Sequence, residues 1–270
     1  MWTKRTRELL FLSIMGSFVI IYIMWPLGNM FANADWNLVA KNTRDTVVLD
    51  ALWRSIWTAG ASTMTIALFG TPLAYLLARC SFRGKATLEA LIDLPIMVPH
   101  TVAGIAVLMT ITPKAPVGAA LSALGLSPIN SNLAIILACI FVSIPFYVDA
   151  VRDAFSAVSP RMEKVSRNLG ASFGYTFFHV TMPLARRGIL SGLIMSWARA
   201  VSEFGAIVIV AYHPMVAPVL IYDRFATFGL KYSSPIAVQL ILISLAMFTF
   251  LRILAVGQSR PLWRGSNGPS

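Results

Sequence analysis

Six runs of roughly 20 predominantly apolar residues constrain this chain more than any other feature. They fall at residues 9–31, 52–78, 91–112, 133–151, 188–212 and 235–256. A run of that length crosses the hydrocarbon core of a bilayer as an α-helix. Strands of a membrane barrel are shorter and alternate apolar with polar residues, a pattern that does not appear here. The expected fold is therefore an all-α integral membrane protein with six transmembrane helices. Charge agrees with this: 12% of residues are charged, against about 25% in a soluble domain. The first run is expected to be no cleaved signal peptide, because it is too long for one.

The basic residues are unevenly placed. Of the 22 Lys and Arg, 15 fall at the chain ends, in the second connection, and in or beside (Arg152, Arg186 and Arg187) a polar insert at about 159–184. Six (Lys41, Arg44, Arg54, Lys114, Arg224 and Lys231) fall on the opposite side, and Arg199 lies inside the fifth run. The positive-inside rule then places both termini and the insert in the cytoplasm of a multi-pass cell-membrane protein. The net charge of +11 becomes membrane-face charge beside anionic lipid and not a nucleic-acid footprint. Residues 1–256 read as one transmembrane domain, and 257–270, rich in Gly, Ser and Pro, as a flexible tail. Cys80 and Cys139 read as small apolar core residues without disulfide or metal spacing.

The insert carries its own local signals. Ser159 followed by Pro160 is a helix start, and Gly170 after Leu169 is a stop. A second short helix is expected from about 172 to 181, breaking at Pro183. Met162, Val165 and Leu169 recur at i, i+3 and i+7, an apolar stripe among charges. Such a stripe docks on a protein partner or rests on lipid headgroups.

The spacing within the insert resembles the EAA loop of permease subunits of ATP-binding-cassette importers. Lys164-Val165-Ser166 stands at the EAA position with Glu163 one place earlier. Gly170 matches the glycine, and Val180-Thr181-Met182-Pro183 matches the closing I-x-L-P. Two further stretches resemble oxyanion permeases. Asp93-Leu94-Pro95-Ile96-Met97-Val98-Pro99-His100-Thr101-Val102-Ala103-Gly104-Ile105-Ala106 is similar to a third-span motif of molybdate/tungstate members. Ser196-Trp197-Ala198-Arg199-Ala200-Val201-Ser202-Glu203-Phe204-Gly205-Ala206 is similar to a fifth-span motif shared with sulfate members. The resemblance covers about residues 55–255. It implies the fold of a type I importer, a homodimer of permease subunits, two cytoplasmic ATPase subunits and an extracytoplasmic molybdate/tungstate-binding protein. It also implies that Arg161, Met162, Glu163, Lys164, Val165, Asn168, Leu169, Gly170, Ala171 and Pro183 couple to the ATPase.

The residues inside the spans are weighed on their own physics. Arg199 and Glu203, at i and i+4, form an expected intramembrane ion pair, because a lone charge there is costly. Pro95 and Pro99 interrupt backbone hydrogen bonds in the third run, and Gly104 removes bulk. His100 reads as an ordinary neutral helix residue before a ligand. Pro72 and Pro145 are expected to kink their spans. Gly188, Gly192 and Ser196 form a small-residue face for close helix approach. Pro99, His100, Thr101, Ala103, Ser202, Glu203 and Gly205 are the candidate pathway or gate, since small residues there join polar or helix-breaking ones. No G-x-x-x-x-G-K run occurs, so the chain is expected to be no enzyme, with energy supplied by a partner ATPase. No cofactor, metal or catalytic residue is expected. Two alternatives remain open at this point: a sulfate or thiosulfate permease, and an ATPase-independent secondary transporter or channel.

Overall fold

The structure is a computed structural model, and it describes residues 2–257. The expected tail beyond Gly257, with Arg260 and Arg264, lies outside the described residues. Every described element is helical. In chain order these are α1 (Trp2–Ala32), α2 (Trp36–Asn42), α3 (Thr46–Arg79), α4 (Lys85–Met97), α5 (His100–Ile111), α6 (Pro116–Ala123) and α7 (Asn132–Ala157). There follow α8 (Pro160–Asn168), α9 (Phe173–Thr176), a π-helical turn (Phe177–Thr181), α10 (Met182–Val201), α11 (Ile207–Val210), α12 (Ala217–Phe228) and α13 (Leu230–Gly257).

Four described helices are long and apolar enough to cross a membrane: Glu8–Ala32, Thr46–Arg79, Asn132–Ala157 and Leu230–Ile253. The third expected run is not one kinked helix. It is α4 and α5, bent by 112° at the break; counted as one span, it makes five. The reason is local. Pro99 lacks an N–H and pushes Val98 into an extended conformation (ψ 131°). The fifth expected run, 188–212, is also interrupted: α10 ends at Val201, and the chain turns through 202–206 into α11. Between the fifth and sixth expected runs lies α12, whose Ala217, Val219 and Leu220 are buried.

Three helices make the centre. α3 and α7 run parallel, as a ladder of contacts shows: Arg54 Nε to Asn132 Oδ1 (3.1 Å), Ser62 Oγ to the Ile136 carbonyl (3.2 Å), and Thr71 Oγ1 to Tyr147 Oη (2.7 Å). α10 packs antiparallel on α7 through the small-residue face. A Cβ on Gly188 would collide with Ala154, and one on Gly192 would lie 3.1 Å from Val151 Cγ2. Ser196 Oγ reaches the Ser143 carbonyl at 3.5 Å. Backbones this close gain dispersion contacts that lipid tails cannot supply.

The buried hydroxyls of α3 are satisfied within the helix. Thr58, Ser62, Thr63 and Thr71 each donate to the carbonyl one turn earlier, at 2.6–2.8 Å. A polar helix thereby crosses an apolar medium without orphaned donors. Both α3 and α7 continue as helix through Pro72 and Pro145. Cys139 is buried, as expected. Cys80 is exposed at the end of α3 and is no core residue.

α1 differs from the other long helices. None of its apolar window is buried by the rest of the described chain, and Phe18, Tyr22 and Trp25 are fully displayed. A helix so apolar is stable in that arrangement only in lipid or against another protein.

Candidate functional site: the polar insert and the intramembrane charge cluster

The insert begins as the sequence predicts. α8 runs from Pro160 to Asn168 with Leu169 as its C-cap, and Gly170 takes the left-handed conformation (φ +89°) that stops it. Ser159 occupies the cap position without a side-chain hydrogen bond. Beyond this the expected break fails to appear. Pro183 sits in the first turn of α10, and helix continues from Phe173 through the π turn to Val201. The Met182 N–H bonds the Phe177 carbonyl across the π turn, which accommodates the missing proline donor.

The two faces of α8 do different work. Met162 and Val165 are half exposed and Leu169 is 84% exposed, so the apolar stripe points away from the chain. Arg161, Lys164, Arg167 and Asn168 flank it, exposed; Ala171 is half buried in the turn that follows. On the opposite face Glu163 fastens the insert to the bundle. Its Oε1 accepts from Arg79 Nη2 (2.8 Å), Arg79 Nε (3.0 Å) and Thr181 Oγ1 (2.9 Å). Its Oε2 accepts from Tyr75 Oη (3.2 Å). Arg79 also donates to the Val158 carbonyl at 2.9 Å. Tyr75 is boxed by Phe155, Phe173 and Phe177, at 5.0–5.9 Å between ring centroids. Nothing in the local pattern singles out Arg79 or Tyr75. A signal existed: Glu163 is the sole acid between 159 and 184, and a lone carboxylate in a basic block needs a partner.

The second cluster lies where α10 ends and α5 begins. Arg199 Nη2 meets Glu203 Oε2 at 2.6 Å, as the i, i+4 spacing predicts. The same nitrogen lies 3.0 Å from His100 Nδ1, and His100 Nδ1 lies 3.7 Å from Glu203 Oε2. His100 is thus a third member of the pair, which the sequence reading did not foresee. Glu203 Oε1 accepts from the Ala206 N–H at 2.7 Å, satisfying a donor freed at the start of the next helix. Exposure is graded across the group: the Glu203 side chain 1%, Arg199 17%, His100 50%.

Two glycines permit this meeting. A Cβ on Gly205 would lie 2.7 Å from His100 Cβ, and one on Gly104 would lie 2.7 Å from the Ala206 carbonyl oxygen. Stretches 99–104 and 202–206 are therefore in direct contact. Pro99, His100, Thr101 and Ser202 are exposed there. Ala103 is not: it is fully buried in the core, a packing position away from the open surface. Among the described residues no group of His, Cys, Asp or Glu has metal-site geometry.

Residues 70–260 match the family model described as binding-protein-dependent transport system inner membrane component. The chain is 42% identical over 258 residues to a molybdate/tungstate transport system permease protein of Pyrococcus abyssi, covering 95% of this chain and 98% of that one. It is 30% identical over 240 residues to a probable sulfate transport system permease protein of Marchantia polymorpha, covering 87% and 83%. Its fold is similar to that of a bacterial ABC transporter involved in the import of the acidic polysaccharide alginate. That match has a TM-score of 0.72 at 16% identity and covers 96% of this chain and 99% of that one.

Proposed function

The chain belongs to the family of binding-protein-dependent transport system inner membrane components, and we propose that it is the permease subunit of an ATP-driven importer of molybdate or tungstate. The single observation that carries the substrate is the 42% identity over nearly the whole of both chains, against 30% for the sulfate relative. As a permease it hydrolyses no ATP itself. An ATPase subunit and an external binding protein are its partners.

In this reading both termini and the insert face the cytoplasm, residues 1–256 act as one transmembrane domain, and α10 with the α4–α5 pair completes six crossings. Two copies form the pathway, and an ATPase subunit docks on each insert. The exposed stripe Met162, Val165 and Leu169 enters a groove of the ATPase, with Arg161, Lys164, Asn168, Gly170 and Ala171 around it. ATP binding draws the two ATPases together, and the inserts follow as rigid bodies.

The fold offers a direct lever for that motion. Helix is continuous from Phe173 to Arg199, about 40 Å at 1.5 Å per residue, and Glu163 ties the insert to the end of α3. A shift at the insert therefore reaches the contact between 99–104 and 202–206, where the gate lies. Arg199 presents little net charge to the cargo, because Glu203 neutralises it at 2.6 Å. A tetrahedral dianion passes such a site against the hydroxyls of Thr101 and Ser202 without being trapped by a fixed counter-charge.

The test is molybdate uptake by the reconstituted complex carrying Gly205→Trp. The new side chain meets His100 and blocks the contact, so uptake falls to background while ATPase docking survives. Leu245→Trp, on an exposed face of α13, is the control. Equal uptake by the two variants places the gate elsewhere.

A further inference from the structure

We propose that the cavity between α2, the start of α3, α12 and α13 is a binding site for a phosphate-type oxyanion. It lies at the end of the bundle remote from the insert and measures about 840 Å³, within the usual range of ligand pockets. Its polar lining is Lys41, Asn42, Arg44, Asp45, Arg224 and Tyr232.

The charge balance of this lining is incomplete. Asp45 is already committed: its Oδ1 accepts from the Val47 N–H at 2.9 Å and caps α3. Among the described residues none of Lys41, Arg44 and Arg224 is in an ion pair. Arg224 rests instead 5.6 Å from the centroid of the Phe228 ring. Three cations and one carboxylate leave an excess of two positive charges around one cavity. Like charges held together raise the energy of the empty site, and an anion among them lowers it.

The cations come from separate parts of the chain: Lys41 from α2, Arg44 from the link to α3 and Arg224 from α12. α2 is capped by Asp35, whose Oδ1 accepts from the Asn37 and Leu38 N–H groups. It is pinned to α13 by Gln239 Nε2, which donates to the Val39 carbonyl at 3.0 Å. Two guanidinium forks, an ammonium, an amide and a phenol match the oxygens of a tetrahedral group. The source of that group is either a free oxyanion or the phosphate of a phospholipid. Exposed Trp36 and Trp53, on α2 and α3, are the residue type found at the lipid–water interface, where both sources are present.

The experiment needs neither ATP nor transport, so it stands apart from the importer reading. The purified full chain in lipid nanodiscs is titrated calorimetrically with tungstate and with inorganic phosphate, and native mass spectrometry counts retained phospholipid. The comparison is the triple variant Lys41→Gln/Arg44→Gln/Arg224→Gln, with Arg44→Gln alone as the milder change on an exposed residue. A free-anion site shows saturable binding that weakens about tenfold or more in the triple variant and by a smaller factor in Arg44→Gln. A lipid site shows one phospholipid per chain that both variants lose in the same order. Binding unchanged in Arg44→Gln and the triple variant, or no anion and no lipid held by the unaltered chain, overturns the proposal.

Discussion

Among the described residues, the arginine–glutamate ties at Glu163 and Glu203 close at nearly equal length, and their surroundings make them different devices. Arg79–Glu163 closes at 2.8 Å between residues 84 apart, and Arg199–Glu203 closes at 2.6 Å within one helical turn. The first gathers donors from α3 and from the π turn onto one carboxylate, so it fastens the insert to the bundle. The second holds a nearly inaccessible carboxylate where the helix is interrupted after Val201, and brings α5, the end of α10 and the start of α11 together. A charge at the bundle's edge can exchange its partner for water, and a charge sealed inside cannot. The same pair thus serves mechanical attachment in one place and backbone shape in the other.

The largest effect is expected at Arg199. Arg199→Ala takes from the buried Glu203 carboxylate its guanidinium partner, leaving the Ala206 N–H and the more distant His100, and stability falls by about 3–5 kcal/mol. The exchanged pair Arg199→Glu/Glu203→Arg recovers part of the loss, though not the Ala206 cap. Yield and thermal unfolding of the purified chain read both effects. If Arg199→Ala unfolds like the unaltered protein, Glu203 is not sealed as its burial implies.

Glu163 sharpens the contrast. Glu163→Ala removes the acceptor of Arg79, Tyr75 and Thr181 and costs about 1.5–3 kcal/mol. Its larger consequence is mechanical: the insert loosens, ATPase turnover survives, and uptake no longer follows it. Glu163→Gln keeps the shape and retains part of the coupling. ATP hydrolysis and uptake measured on the same vesicles separate these outcomes, and a variant with hydrolysis and uptake still in step removes the fastening role.

The smallest effect on stability is expected at the stripe. Leu169→Ser changes an exposed side chain and leaves the isolated chain within about 0.5 kcal/mol of its starting stability. Co-purification of the ATPase nevertheless drops, and further in Met162→Ser/Leu169→Ser. Undiminished retention of the ATPase by the double variant would mean that the stripe faces lipid.

Much of the architecture was legible from local pattern. Apolar run length located α1, α3, α7 and α13, because a bilayer admits only segments that satisfy their own backbone. Gly170 and Pro160 bounded α8 through conformational preferences that act within a turn. The spacing of Gly188, Gly192 and Ser196 identified the α10 face that packs on α7, since small side chains at one helical period allow close approach. The i, i+4 relation alone located the Arg199–Glu203 tie.

Other features depend on partners remote in the chain. Pro183 reads as a break, yet it lies inside continuous helix, because a π turn before it absorbs the missing donor. His100 reads as solitary, yet it joins a pair 99 residues away across contacts that two glycines permit. Arg79 and Tyr75 look like span-end residues until the fold brings Glu163 onto them. The three cations of the cavity come from α2, the link to α3 and α12, with no common period. Periodicity, capping and helix-breaking act over a few residues, so they are written in the order of the amino acids. A charge finds its partner through packing of whole helices, so that pairing exists only once the chain has folded.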